Sequence, residues 1–172
     1  MISVNERAAF MSKSFWVAFA IGIALVAGVI GYTLFAVRGQ HLDPSGAFLQ
    51  IRTAALDEAH SALIVDFEVN NASDRVMTIR FLNLAIHTKD GNAPDASPIA
   101  ASDLPTLFRY HKELGGIEHA PMKERDVIDP HRTARGTVAA RFDIPESDLK
   151  ARKDLTLSIE DVTGAKLEIT AK

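Results

Sequence analysis

The chain has 172 residues, a formal net charge of −3 and no cysteine. The missing cysteine excludes disulfides, thiolate metal centres and a thiol nucleophile. From Ser45 to Lys172 there are 16 lysines and arginines against 20 acidic residues, interspersed and without a basic run, so the electrostatic footprint of a nucleic-acid-binding protein is absent.

Met1 to Lys13 reads as a short polar tail. Ser14 to Val37, SFWVAFAIGIALVAGVIGYTLFAV, carries no charge over 24 residues. As a helix it would span roughly 36 Å, enough to cross a hydrocarbon core of about 30 Å with some tilt. Lys13 and Arg38 bracket it. Phe15 and Trp16 lie at one end and Tyr32 and Phe35 near the other, and Trp and Tyr are the ring types that favour membrane interfaces. A surface-packed helix of a soluble protein needs a polar face, and this stretch has none. A cleaved signal peptide has a shorter apolar region and a small-x-small site, whereas Leu34-Phe35-Ala36-Val37-Arg38 offers none. We read an uncleaved single-pass signal anchor. Arg7 and Lys13 outnumber Arg38, which orients the N-terminus toward the cytoplasm and the rest of the chain outside. This places the protein in the inner (cytoplasmic) membrane, N-in/C-out. Ala20, Ala24 and Gly28 recur every four residues, with Gly31 close to the same face. Small residues at that spacing allow close helix–helix approach, making these four a candidate contact for a homodimer.

Residues 38–46 form a linker, rich in Gly, Pro and Ser. The remainder, 47–172, is expected to form one domain. Ala47–Leu56 reads as a first strand. Ser61–Asn70 gives the clearest one, with Leu63, Val65, Phe67 and Val69 alternating with Ala62, Ile64, Asp66 and Glu68, as in a half-buried strand. Asn70 to Asp74 is a turn whose side chains bond their own backbone. In Val76–Thr88 the alternation shifts at Phe81-Leu82, which predicts two short strands or one with a bulge. Asp90-Gly91 is a tight-turn signal, followed by a loop from Asn92 to Ala101.

Ser102–Leu114 changes period. Leu104, Leu107, Phe108, His111 and Leu114 fall on one helical face, with Ser102 or Asp103 available as a cap and Gly115-Gly116 as the stop. Ile117–Ile128 reads as a loop ending in a strand, with Val127 and Ile128 buried. Ala134–Ile144 and Asp154–Asp161 are further strands, with a turn or one helical turn from Pro145 to Leu149. Thr163-Gly164 closes a hairpin to Ala165–Thr170. The pattern predicts a mainly β fold: a single N-terminal transmembrane helix followed by an immunoglobulin-like antiparallel β-sandwich with one short helical insertion.

Val65-x-Phe67-x-Val69-Asn70-Asn71, the Asp90-Gly91 turn, and Gly136-Thr137-Val138-x-Ala140-x-Phe142-Asp143-Ile144-Pro145 followed by Leu155 and Asp161-x-x-Gly164 together resemble the DUF4352 type of domain. These are uncharacterised immunoglobulin-like modules of bacterial envelope proteins. The resemblance covers about Phe48 to Thr170. A Pro-Gly turn usually precedes the late strand, where this chain has Asp129-Pro130-His131, and the helix around Leu107 is an addition. The resemblance implies a binding or scaffolding module and supplies no catalytic residues.

No phosphate-binding Gly-rich loop, nucleophile elbow or H-E-x-x-H is present. Of six histidines, only His111, His119 and His131 with Asp129 are semi-clustered, and the histidines read as surface residues rather than ligands. Neither cofactor nor metal is expected, and the chain reads as non-enzymatic. The segment from Pro94 to Pro130 is long for a sandwich connection. It reads either as a plug for one open end of the sandwich or as a partner-docking surface comprising Leu107, Phe108, Arg109, Tyr110 and Lys112, with the last three of these on its exposed side. The expectation is a membrane-anchored extracytoplasmic module that binds or scaffolds another envelope protein, the alternative being a small-molecule or ion-binding envelope module with the insertion as a lid.

Overall fold

The structure, a computed structural model, describes residues 13–37 and 44–172, with side chains over 15–33 and 44–172. The expected N-terminal tail up to residue 12 and the linker up to residue 43 lie outside the described residues. Two compact units result, Met1–Gly39 and Gln40–Lys172.

The first unit is helix α1, Lys13–Val37. Its apolar stretch Phe15–Thr33 is long enough to cross a membrane, and none of it is buried. Polar atoms in that stretch are confined to its ends, on Trp16, Tyr32 and Thr33. The Thr33 hydroxyl bonds back to the Ile30 carbonyl at 2.8 Å, so the rod between them has no face suited to water.

The second unit is mainly β, two four-stranded antiparallel sheets packed as a sandwich. Strands β1 (Ser45–Ala55), β2 (Ser61–Asn71), β6 (Arg132–Phe142) and β4 (Ala96–Pro98) form one sheet in the order β1-β2-β6-β4. Strands β5 (Val127–Ile128), β3 (Met77–His87), β7 (Asp154–Asp161) and β8 (Lys166–Ala171) form the other, in the order β5-β3-β7-β8. β1 begins at Ser45, two residues ahead of the expected boundary, and Gly46 pairs with Val69 inside the sheet. Between β4 and β5 lie α2 (Leu104–Tyr110) and a 3₁₀ turn, Lys112–Leu114, and α3 (Glu146–Lys150) precedes β7.

Alternation builds the core between the sheets. Leu63, Val65, Phe67 and Val69 of β2 face Leu155, Leu157 and Ile159 of β7, with Phe142, Leu167 and Ile169 closing the layer. Each such side chain contributes about 1.5–3 kcal/mol on burial. β3 is one strand with a bulge, as one of the two sequence readings has it, but the irregularity falls between Ile79 and Phe81, at Arg80. The extra residue shifts the phase, so Met77 and Ile79 point inward before it and Leu84 and Ile86 after it. Phe81 is left half-exposed.

The turns follow the local chemistry. The Asn71 side chain, fully buried, donates to the carbonyls of Arg75 (2.7 Å), Ile128 (3.0 Å) and Asp129 (3.2 Å) and accepts from Ser73. The equally buried Asp161 accepts from the backbone N–H groups of Thr78 and Thr163, both at 2.7 Å. Gly91 and Gly164 take positive φ at their turns. Val127, expected in the core, is exposed, because only its neighbour Ile128 faces inward from the two-residue β5.

Candidate docking surface

β2 is buried on both faces, not one. Leu63, Val65, Phe67 and Val69 face the main core, while Ala62 and Ile64 join Ala54 of β1 and Ala139 of β6 in a second apolar layer with Leu104, Phe108 and Leu114. The insertion therefore lies across the outer face of the β1-β2-β6-β4 sheet. It does not plug an end of the sandwich. The small residues at 54, 62 and 139 let the larger side chains of α2 approach the sheet.

The insertion is held by a buried charge. Arg52 of β1 pairs with Asp66 of β2 at 2.5 Å, with side-chain exposures of 9% and 0%. The Thr137 hydroxyl of β6 donates to the other Asp66 oxygen. The same guanidinium donates to the carbonyls of Leu114 (2.8 Å) and Gly116 (2.7 Å), and its Cζ sits 5.0 Å from the Phe108 ring centroid, in cation–π range. Its Nε is buried without a partner. These bonds explain why the expected single helix is broken. α2 ends at His111 (φ −110, ψ 75), the 3₁₀ turn follows, and Gly115 takes φ 77, which presents the last carbonyls to Arg52. Asp103 stands at the N-cap position but makes no side-chain capping bond; its carboxylate accepts from the Ser102 hydroxyl at 3.1 Å.

This arrangement divides the expected docking set. Phe108 is buried and Leu107 half-buried, both packed in the second layer, so these two serve the fold. Arg109, Tyr110 and Lys112 face solvent, Tyr110 with 77% of its surface exposed. Beside them Glu113 is held below the usual carboxylate range, first by its own backbone N–H and then by His111, 3.0 Å away. Ile117, at the rim, is 39% exposed. A tyrosine and an arginine adjacent on an element packed against the sheet are the residue types that anchor protein interfaces.

The semi-clustered histidines are not brought together. His111 pairs with Glu113, His131 with Asp74 at 2.8 Å, and the His119 carbonyl lies 3.0 Å from the Thr137 hydroxyl. Among the described residues no group of three or more His, Asp or Glu side chains is placed to hold a metal. Open clefts indent the described part of the β domain. One of about 380 Å³ is lined by Thr88–Asp90, Asn92–Pro94, Ile144, Asp148 and Ala151. Another, about 230 Å³ and largely apolar, lies between Phe81, Leu82, Ile99, Leu104, Met122 and Val138.

On α1, Ala20 and Ala24 are exposed, and the Cβ positions of Gly28 and Gly31 meet open space. A shallow furrow along Ala18, Gly22, Val26 and Ile30 runs on roughly the opposite face, about 200° around the helix. The sequence reading missed this second stripe, although Ala18-x-x-x-Gly22 carried the same signal. Phe15 and Phe19 stack with ring centroids 6.1 Å apart, and Trp16 packs edge-on to both.

No family model matches the chain, and no curated protein matches it. Among solved structures it is similar to an uncharacterized beta-sandwich protein from Clostridium difficile, at 14% identity and TM-score 0.35 over 77% of this chain and 82% of the other. It is also similar to a conserved hypothetical protein from Bacillus anthracis, at 11% identity and TM-score 0.33 over 65% of this chain and 69% of the other.

Proposed function

We propose that the chain is a single-pass protein of the inner (cytoplasmic) membrane, N-in/C-out, whose extracytoplasmic domain is a non-enzymatic module that binds or scaffolds another envelope protein. The observation that carries this reading is α1, apolar on every side, joined to a folded β domain whose exposed tyrosine–arginine pair stands on a supported insertion. The strand orders favour an immunoglobulin-like assignment: β1-β2-β6-β4 opposite β3-β7-β8 corresponds to the ABED and CFG sheets of the constant type, with β5 as an added edge strand. The DUF4352 resemblance points to the same kind of module. The docking face we assign is Arg109, Tyr110 and Lys112, with Leu107 and Phe108 as its support, and Ala20, Ala24, Gly28 and Gly31 as a candidate homodimer contact within the bilayer.

Two measurements test this. A topology reporter fused after Lys172 should be active only outside the cytoplasm, and cytoplasmic activity overturns the placement. In a detergent-extract pull-down, an R109A/Y110A variant with an unchanged melting temperature should lose partners that the native chain captures. Full retention of those partners removes the docking assignment. The small-molecule alternative is favoured by the largely apolar cleft beside Phe81 and Leu104. A thermal-shift screen with metals and metabolites addresses it, and a uniform lack of shift counts against it.

A further inference from the structure

We propose that residues 100–119 form a lid that opens as one unit while the sandwich stays folded, and that Arg52 is its latch. Both ends of the segment are fixed to the same strand, two residues apart. The Ile99 N–H donates to the Ala139 carbonyl, and Ala120 and Met122 bond to Thr137. Among the described residues, every backbone–backbone hydrogen bond made by 100–119 stays inside the segment: Asp103 to Ala100, Leu107 to Asp103, His111 to Leu107, Leu114 to His111 and Gly115 to Lys112. The segment is thus a closed loop with adjacent ends whose apolar side chains pack on the sheet; detached from it, a seven-residue helix does not hold by itself, so opening frees these amides as one cooperative unit. The main core is complete without it, since no residue of 100–119 belongs to that core.

Two sets of contacts tie the lid down. Leu104, Phe108 and Leu114 pack on the alanine-lined sheet face. The Arg52 guanidinium holds the Leu114 and Gly116 carbonyls. Gly115-Gly116 sits beside those carbonyls, with φ 77 at Gly115 and open space at both Cβ positions. Closed, the face presents Arg109, Tyr110 and Lys112. Open, it presents a floor of Ala54, Ala62, Ile64 and Ala139.

Native-state hydrogen exchange on the full chain in detergent tests the inference. The amides of Leu107, His111, Leu114 and Gly115 should exchange at least about 100-fold faster than those of β2 and β6, with one shared dependence on added denaturant that is smaller than that of the strands, as expected for sub-global opening. Exchange of these amides at the rate and denaturant dependence of the strands overturns it. The latch is tested with R52M/D66N, in which no buried charge is left alone and the amide introduced at position 66 still accepts from Thr137. The four lid amides should exchange about 10-fold faster again while strand amides hold their rates. An equal change in lid and strands, or none in the lid, removes Arg52 from the role.

Discussion

Asp66 has no exposed surface on a central strand, so each of its oxygens needs a partner, and Arg52 and Thr137 supply them. Removing one member of such a pair leaves a desolvated charge. R52M should therefore cost about 3–5 kcal/mol, whereas R52M/D66N should recover most of that loss, because the remaining amide keeps its hydroxyl donor. Chemical denaturation of the two variants checks this; a single-variant cost below about 1 kcal/mol would show the pair to be marginal. Gly46 presents a different constraint. A Cβ there would lie 2.6 Å from Ile169 Cδ1 and 2.7 Å from the Glu68 carbonyl oxygen. The isoleucine can turn, but the carbonyl belongs to the paired strand. G46A should lower stability by about 1–3 kcal/mol through overpacking, measured as a shift in denaturation midpoint at unchanged m. An unchanged midpoint would mean that β1 does not enter the sheet at Ser45. Gly136 has the same cause: the chain crosses it so closely that a Cβ would meet Met122 Cβ at 2.6 Å.

At the scale of elements, β3 depends on its bulge. Deleting Arg80 would remove the extra residue and leave Met77, Ile79, Leu82, Leu84 and Ile86 in strict alternation on one face. The deletion should therefore keep cooperative thermal unfolding, and Arg80→Ala, which removes only the 3.4 Å pair with Glu160, should shift stability by less than about 1 kcal/mol. A deletion variant that no longer melts cooperatively would refute the bulge as the device that absorbs the phase shift. The strands were legible because each inward set repeats every two residues. The shift in β3 was legible too, since two apolar phases meet within Ile79–Leu82. The placement of the insertion was not. A period-two pattern reports which face is apolar but does not say whether the other face meets water or a covering layer. The signal was present in Ala54, Ala62, Ile64 and Ala139, all on outward phases, together with Asp66 among them. The split of the helix at His111 was hidden for a related reason: its cause, Arg52, lies 62 residues away from the carbonyl of Leu114. On the candidate docking face, the helical period separates Leu107 and Phe108 from Arg109, Tyr110 and Lys112. It could not show that the first two are spent on the sheet.

At the scale of the molecule, acid sensitivity follows from three carboxylates placed at different points of the β domain. Glu146 is held below its ordinary value of 4.5, first by the Lys150 ammonium at 2.8 Å and further by the Thr53 hydroxyl at 2.9 Å. Asp57 is held below 3.8, first by the Ala59 N–H and then by His60, and Glu113 lies below 4.5 through its own N–H and His111. In each case the folded chain binds its proton less readily than the unfolded chain does. Stability from these groups is therefore fully present above the unfolded values, near 4.5 and 3.8, and is lost as pH falls through the lower folded values. The melting temperature should hold between pH 7 and about pH 5 as far as these groups are concerned, then fall. Glu146 is the one that joins α3 to β1, so its removal should be visible in that curve. E146Q should melt below the native chain at pH 7, by the equivalent of about 0.5–1 kcal/mol for a surface ion pair and one hydroxyl bond. The two curves should converge near about pH 3, where the native carboxylate is itself being protonated. Parallel curves across the whole range would mean that the Glu146 charge adds nothing, and that α3 is held to the sheet by the burial of Leu149 alone.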